Sequence, residues 1–331
     1  MKMLMFDFRN SEREYFNKHD LPDFDIEFIK EPLNEMYVLS EKQLEETVII
    51  SVFITSEITE NIIKKFKNLR IISTRSTGYD HIDLKYCNQN HIAVFNVQDY
   101  GKNSVAQYTF MLILALVRKL IPAYISTQKN LIEMEALEGR NLENLTLGIL
   151  GGGSIGKSVA NIANFFGMKI LICSIDKDNE ISTFAEYVSM DEILEKSDII
   201  TLHLPYNVKT HHIIDEKELS KTKKGVLLVN TARGELIDTV ALYNNLITGQ
   251  VGGIALDVYE CENESETTVS DIEENCLPNI LAIQKMLGMN NVIITPHTAY
   301  NTKESVDILL DTTFNSIRDY LKGLHTNQLR L

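Results

Sequence analysis

The chain has 331 residues, of which 44% are hydrophobic and 24% charged, with a formal net charge of −14 at pH 7. That length allows two domains with separate cores, and the composition is that of a globular protein, not a disordered or fibrous one. The acidity, with no clustered Lys/Arg stripe, argues against a nucleic-acid partner and against attraction to an anionic membrane surface.

In chain order, the N-terminal MKMLMFDFRN reads as a first strand at 3–6. Asp7 and Arg9 break its apolar stretch, and it lacks the apolar core and cleavage site of a signal peptide. Further β-branched runs at 48–52, 71–74 and 93–95 read as strands, separated by helical patterns such as 59–66. Strands alternating with helices imply parallel pairing through right-handed crossovers. Near Asn103 the pattern changes. Ser104 and Gln107 form an S-x-x-Q capping box, predicting a helix to about Leu120 that Pro122 ends or kinks. Its apolar run, 110–117, is far short of the roughly 20 residues that span a bilayer, so a buried helix is expected there, packed between domains or subunits.

A second alternating series starts at Leu145. Strands are expected at 147–150, 169–173, 199–202, 226–229, 254–256 and 292–294. Helices are expected from Ile155, near Ile193 behind a Ser189/Glu192 capping box, and from Thr239. Between 260 and 274 seven acidic residues and no basic ones predict a solvated loop. The final segment, 302–322, has helical spacing in Val306, Leu309, Leu310, Thr313, Phe314 and Ile317, and is expected to return to the first domain. Cys87, Cys173, Cys261 and Cys276 show no CxxC spacing, which predicts reduced thiols, a cytoplasmic protein and no structural metal.

The strand at 147–150 runs directly into Gly151-Gly152-Gly153-Ser154-Ile155-Gly156, a G-x-G-x-x-G motif. Gly151 permits a tight turn, Gly153 lets a pyrophosphate approach the backbone, and Gly156 lets helix and strand pack closely. The first turn of the helix, with Ser154 and Ile155, then offers N–H groups and a positive dipole end. Between a strand and a helix this motif points to a dinucleotide. The acidic residue expected at the end of the next strand, to hold the adenosine ribose, falls on Ser174, with Asp176 two residues late. NAD is preferred because no arginine is present, but Lys177 could meet a 2′-phosphate, so NADP stays open.

With that motif in place, the chain resembles the D-isomer-specific 2-hydroxyacid dehydrogenases, and among them the D-lactate dehydrogenases, including the vancomycin-resistance type. The carrying segments are STRSTGYDHIDL (73–84), NSVAQYTFMLILALVR (103–118), SDIITLHLP (197–205), KKGVLLVNTARGELIDTVAL (223–242), GGIALDVYECE (252–262) and NVIITPHTAY (291–300). The resemblance implies a Rossmann-type cofactor domain, 103–299, inserted into a flavodoxin-like substrate domain, 1–102 with 300–331, and an active site in the cleft. It also implies a homodimer.

Hydride transfer to a keto carbon leaves an alkoxide that a general acid must protonate. His297, in a loop after the last strand of the series, is the candidate. An anionic partner would orient it; the resemblance matches Glu262, with Glu260 as a rival in the same acidic stretch. Arg233, following a strand in NTARG, suits a substrate carboxylate and carbonyl. The resemblance further implies that Thr77 and Gly78 offer amides to the carboxylate and that Tyr100 and Tyr300 line the pocket. Contacts along the cofactor are implied for Leu204, Pro205, Thr210, Thr231, Ala232 and Asp257. The expected reaction is reduction of a small 2-keto acid to the D-2-hydroxy acid, with pyruvate and D-lactate leading. A bulkier 2-keto acid, hydroxypyruvate or glyoxylate is the alternative, as is a dinucleotide-sensing regulator like the corepressors of this fold. His211-His212 with Asp215, and His81 between Asp80 and Asp83, are read as structural, not as metal ligands or catalysts.

Overall fold

The computed structural model describes residues 1–131, 134–262 and 276–329. The expected acidic loop at 260–274 lies mostly outside these residues. Two compact units divide the chain, Met1–Tyr100 with Asn301–Leu331, and Gly101–Tyr300.

The first unit holds β1 (Lys2–Met5), β2 (Asp25–Phe28), β3 (Ile49–Val52), β4 (Ile71–Thr74), β5 (Ala93–Phe95) and, numbered in chain order after the second unit's strands, β13 (Gln328–Leu329). Their order is β13-β5-β4-β3-β1-β2, parallel except for β13, which pairs antiparallel with β5. Omitting β13, this is the flavodoxin-like order, whose reversal of direction lies beside β1. The strands β3 and β4 are buried at every residue, as expected for a parallel sheet covered on both faces. The Lys303–Leu321 helix, capped by Thr302 at the Ser305 amide, packs Phe314 against Tyr15, Phe16 and Phe24.

The second unit is a seven-stranded parallel sheet. Its strands are β6 (Thr146–Leu150), β7 (Lys169–Cys173), β8 (Glu186–Tyr187), β9 (Ile199–Leu202), β10 (Val226–Asn230), β11 (Val251–Leu256) and β12 (Val292–Ile294). The order β12-β11-β10-β9-β6-β7-β8 is the doubly wound Rossmann arrangement with one extra strand, reversing at β6/β9. The turns that follow β6 and β9 therefore flank the position where such sheets hold ligands.

Three local expectations need correction. The Lys102–Val117 helix begins before Ser104, with Gly101 at its N-cap and no side-chain cap bond, so the Ser104/Gln107 box does not start it. The break comes at Lys119, whose φ of 49° is left-handed, and not at Pro122. Pro122 instead sits in the first turn of the next helix, Leu120–Gln128, where a missing N–H costs nothing. No single helix among the described residues is long and apolar enough to cross a membrane. Thirdly, Cys261 and Cys276 are bridged, with Cα atoms 5.8 Å apart, while Cys87 and Cys173 are free thiols. Spacing alone could not show this pairing, because the 15-residue separation closes only when the start of the Leu277–Met286 helix returns to the end of β11.

Candidate active site

Strand β6 delivers the glycine turn. Gly151 has φ +106°, and a Cβ there would lie 2.4 Å from the His203 carbonyl oxygen. At Gly156 a Cβ would lie 1.9 Å from the Gly151 oxygen, whereas at Gly153 nothing stands within 4 Å. The turn is therefore closed on its protein side and open at its middle glycine. The Ser154–Phe165 helix then starts with no side-chain cap, which presents the positive end of its dipole. This cradle fits the pyrophosphate of a dinucleotide.

Beyond β7 no anchored carboxylate is held for the ribose among the described residues. Ser174 lies against Gly152, where a Cβ would come within 2.8 Å of its side chain, and Asp176 is exposed. Asp178 is taken by Lys157 at 2.6 Å and by the amides of Glu180 and Ile181. After β9 come His203, Leu204 and Pro205. Burial holds His203 down to about 3, so it is neutral at ordinary pH. Thr210 closes the following turn by donating to the Pro205 carbonyl at 2.7 Å.

The loop after β12 is folded around Asp257, the residue that follows β11. Its carboxylate is 1% exposed and accepts from Thr295 Oγ1 (2.6 Å) and the amides of Thr298 (3.0 Å) and Ala299 (2.8 Å). Burial pushes its carboxyl upward, partly offset by these three donors. The His297 amide donates to the Asp257 carbonyl at 2.9 Å. His297 adopts φ +47°, a conformation that costs a non-glycine residue about 1 kcal/mol or more and persists where surroundings impose it. Its Nδ1 lies 2.7 Å from Glu262 Oε1, both side chains about a quarter exposed. A carboxylate at Nδ1 orients the ring and leaves Nε2 as the nitrogen that can exchange a proton with a ligand. Glu260 is engaged elsewhere, with His212 Nε2 at 2.7 Å and the Thr239 amide at 2.8 Å. The structure thus brings Glu262, not its rival, to His297.

Arg233 follows β10 in a turn pinned by Asn230, which is 1% exposed. Asn230 accepts from the Ala232 amide and donates to the Arg233 carbonyl. Arg233 itself donates from Nη1 to the Ala232 carbonyl at 2.7 Å. Thr231, expected along the cofactor, has its hydroxyl 2.9 Å from that of Thr109 in the Lys102–Val117 helix. Tyr300 is 7% exposed and crowds Gly101, where a Cβ would meet its own at 3.4 Å.

In the other unit, residues 76–78 follow β4 and the fully buried Arg75, whose guanidinium holds Glu12 at 2.9 Å, Ser51 at 3.0 Å and the Phe6 carbonyl at 2.7 Å. Thr77 donates its hydroxyl to the Val97 carbonyl, Asn96 donates to the Thr77 carbonyl, and Ser76 to that of Gly78. The Thr77 and Gly78 amides have no acceptor among the described residues, while both carbonyls and the Thr77 hydroxyl are tied down. That is the form of an anion-binding turn. Tyr100 closes this unit's first segment and is half-buried.

The remaining histidine features are structural in geometry. His81 Nε2 meets Thr74 Oγ1 at 3.0 Å, His212 pairs with Glu260, and Asp215 caps the Glu216–Ser220 helix. Asn230 and Thr295 escaped the reading of the sequence, as did the pairing of Glu260 with His212, two residues read there in other roles. Their partners are backbone groups or residues far along the chain, which no local pattern reveals.

A family model described as "D-isomer specific 2-hydroxyacid dehydrogenase, NAD binding domain" matches residues 110–299. The chain is 40% identical over 273 residues to a D-specific alpha-keto acid dehydrogenase of Enterococcus faecium, covering 82% of each. It is 31% identical to the D-lactate dehydrogenase kk1H of Curvularia clavata over 98% of this chain and 94% of that relative. The solved D-lactate dehydrogenase of Aquifex aeolicus, complexed with NAD and lactic acid, aligns with a TM-score of 0.87 at 35% identity, over 97% of this chain and 96% of that one. With an open glycine cradle, a paired histidine and carboxylate, and matches over nearly its whole length, this chain belongs to the D-isomer-specific 2-hydroxyacid dehydrogenases.

Proposed function

We propose that the protein reduces pyruvate to D-lactate, drawing hydride from NADH. The observation that carries this reading is the 2.7 Å contact between His297 and Glu262, set at the carboxyl ends of β11 and β12 in the same sheet whose β6 opens into the glycine cradle. Residues 151–156 would hold the pyrophosphate of the nicotinamide cofactor, which would supply the hydride for the keto carbon. His297 gives its Nε2 proton to the carbonyl oxygen as that oxygen gains charge. Glu262 holds the ring at Nδ1, and solvent restores the proton after it is delivered. Arg233 grips the substrate carboxylate with its planar fork and polarises the carbonyl. Thr77, Gly78, Tyr100 and Tyr300 are taken as further substrate-binding residues, Thr77 and Gly78 through their amides. Leu204, Pro205, Thr210, Thr231, Ala232 and Asp257 would contact the cofactor along its length.

We take NAD as the cofactor. Because Ser174 stands where an acid would repel a 2′-phosphate, and Asp178 is neutralised by Lys157, discrimination against NADPH should be weak. We also infer a homodimer through the 120–137 region. There Leu120 is 56%, Tyr124 63%, Leu131 67% and Met134 75% exposed, large apolar side chains that a partner subunit would cover.

The test is loss of nicotinamide absorbance on mixing purified protein with pyruvate and either NADH or NADPH in parallel, followed by chiral analysis of the product. D-lactate from either cofactor supports the reading. L-lactate, or no oxidation with pyruvate while a larger keto acid turns over, rejects pyruvate as substrate. No oxidation with any 2-keto acid rejects the enzyme reading.

A further inference from the structure

Glu260 lies two residues from Glu262, and its carboxylate is 6% exposed. Each oxygen has a partner from a different part of the site. Oε1 lies 2.7 Å from His212 Nε2, in the loop that continues from β9 past Thr210. Oε2 accepts the amide of Thr239 at 2.8 Å, the first residue of the Thr239–Thr248 helix, six residues beyond Arg233. The backbone at 259–260 is also wedged against the arginine turn. A Cβ on Gly234 would lie 2.2 Å from the Tyr259 carbonyl carbon and 2.6 Å from the Glu260 nitrogen. His212 is fixed in turn, donating its amide to the Glu235 carbonyl at 2.9 Å and stacking its ring on His211 with centroids 3.9 Å apart. Beyond Glu260 the chain enters the left-handed region at Cys261, φ +59°, and then presents Glu262 to His297.

We infer that Glu260 is a positioning residue for the reaction: through the backbone of 260–262 it sets Glu262 against His297 and keeps that pair in register with the Arg233 turn. This rests on the reading of His297 and Glu262 as the proton-donating pair. The physical argument is one of leverage. Only Cys261 separates the anchored carboxylate from the one that meets the ring; its bridge to Cys276 is one restraint on its left-handed conformation and the Glu260 anchor is the other, so loss of the anchor frees one side of the segment. A buried carboxylate shared between a helix-start amide and an imidazole is held by charge-assisted bonds, each stronger than a neutral one. Removing it also leaves the Thr239 amide unsatisfied, so the segment relaxes towards new partners. A displacement of about 1 Å at a reacting group can cost on the order of 100-fold in rate.

The experiment compares Glu260→Ala, Glu260→Gln and His212→Gln with the wild type in pyruvate reduction across pH. Glu260→Ala should lower kcat by about 10- to 100-fold, with a smaller change in KM for pyruvate. The alkaline limb of its kcat/KM profile should move to lower pH, because an imidazolium without its carboxylate loses its proton more readily. Glu260→Gln keeps an acceptor for Thr239 and a partner for His212, so it should restore kcat to within about threefold and return the limb to its wild-type place. His212→Gln probes the same tether from its more exposed end and should shift the limb in the same sense, even where Glu260→Ala fails to fold. An unmoved limb and near wild-type kcat in both Glu260→Ala and His212→Gln would overturn the inference. So would a Glu260→Gln enzyme as impaired as the alanine variant. A wild type that reduces no 2-keto acid at all would instead mark failure of the functional reading itself.

Discussion

His297 and Arg233 show what a strand end can disclose and what it hides. Each follows a buried parallel strand, at the edge of the sheet where α/β proteins place their ligands, and each is of a residue type suited to an anionic, proton-accepting substrate. Those facts were legible from TPH after β12 and NTARG after β10. Glu262 as the partner of His297 was implied by the resemblance, but the rest of the orientation was not legible, because it is set by Asn230 and Asp257 through bonds spanning 2 to 42 residues. His297→Gln should lower kcat for pyruvate by about 10²- to 10⁴-fold, the usual weight of a general acid, with NADH binding unchanged in a fluorescence titration. A variant within threefold of wild type would move the acid elsewhere. Arg233→Lys keeps the charge but loses the planar fork, so KM for pyruvate should rise at least about tenfold as kcat falls. Steady-state kinetics on the two variants separates the roles: proton delivery appears in kcat, grip of the carboxylate in both constants.

At the scale of the element, the parallel strands were legible almost to the residue because they are continuous apolar runs buried on both faces. Short edge pieces were not. Strands β2, β8 and β13 carry few buried positions, so their sequences lack the pattern that marks a strand. The Leu277–Met286 helix was overlooked beside the acidic stretch, and with it the bridge from Cys276 to Cys261. The two remaining thiols differ from this pair: burial pushes Cys87 up to about 12 and raises Cys173 as well, so neither is reactive in the fold. Alkylation after denaturation should find two thiols without reductant and four with it. Four in both conditions would show that the bridge does not form. Because it closes a 15-residue separation, Cys276→Ser should lower the unfolding free energy by up to about 3 kcal/mol, read as a fall in denaturant midpoint.

At the scale of the whole molecule, acidity and one half-buried histidine pull stability in opposite directions as pH falls. The net charge of −14 opposes a compact state, so protonating surface carboxylates relieves repulsion. Asp257 acts in the same direction: its carboxyl is raised by burial, so the native state takes up that proton more readily than the unfolded chain, and acidification through the carboxylate range favours folding there. His203 works against both. Held down to about 3 by desolvation, it refuses a proton that the unfolded chain accepts near its ordinary value of about 6.5. Between those two values the unfolded state binds more protons, and stability falls as pH falls. The window between about 5 and 6.5 lies above most carboxylate titration, so the histidine dominates it, with a cost approaching about 2 kcal/mol at pH 5. Glutamine at this position keeps a polar partner for Thr201, whose hydroxyl lies 3.0 Å from the ring, and cannot titrate. Denaturant midpoints for wild type and His203→Gln should therefore converge or cross as pH drops from about 7 to 5, with the wild type losing more. Parallel lines across that window would mean that His203 takes up its proton in the folded protein as easily as in the unfolded chain.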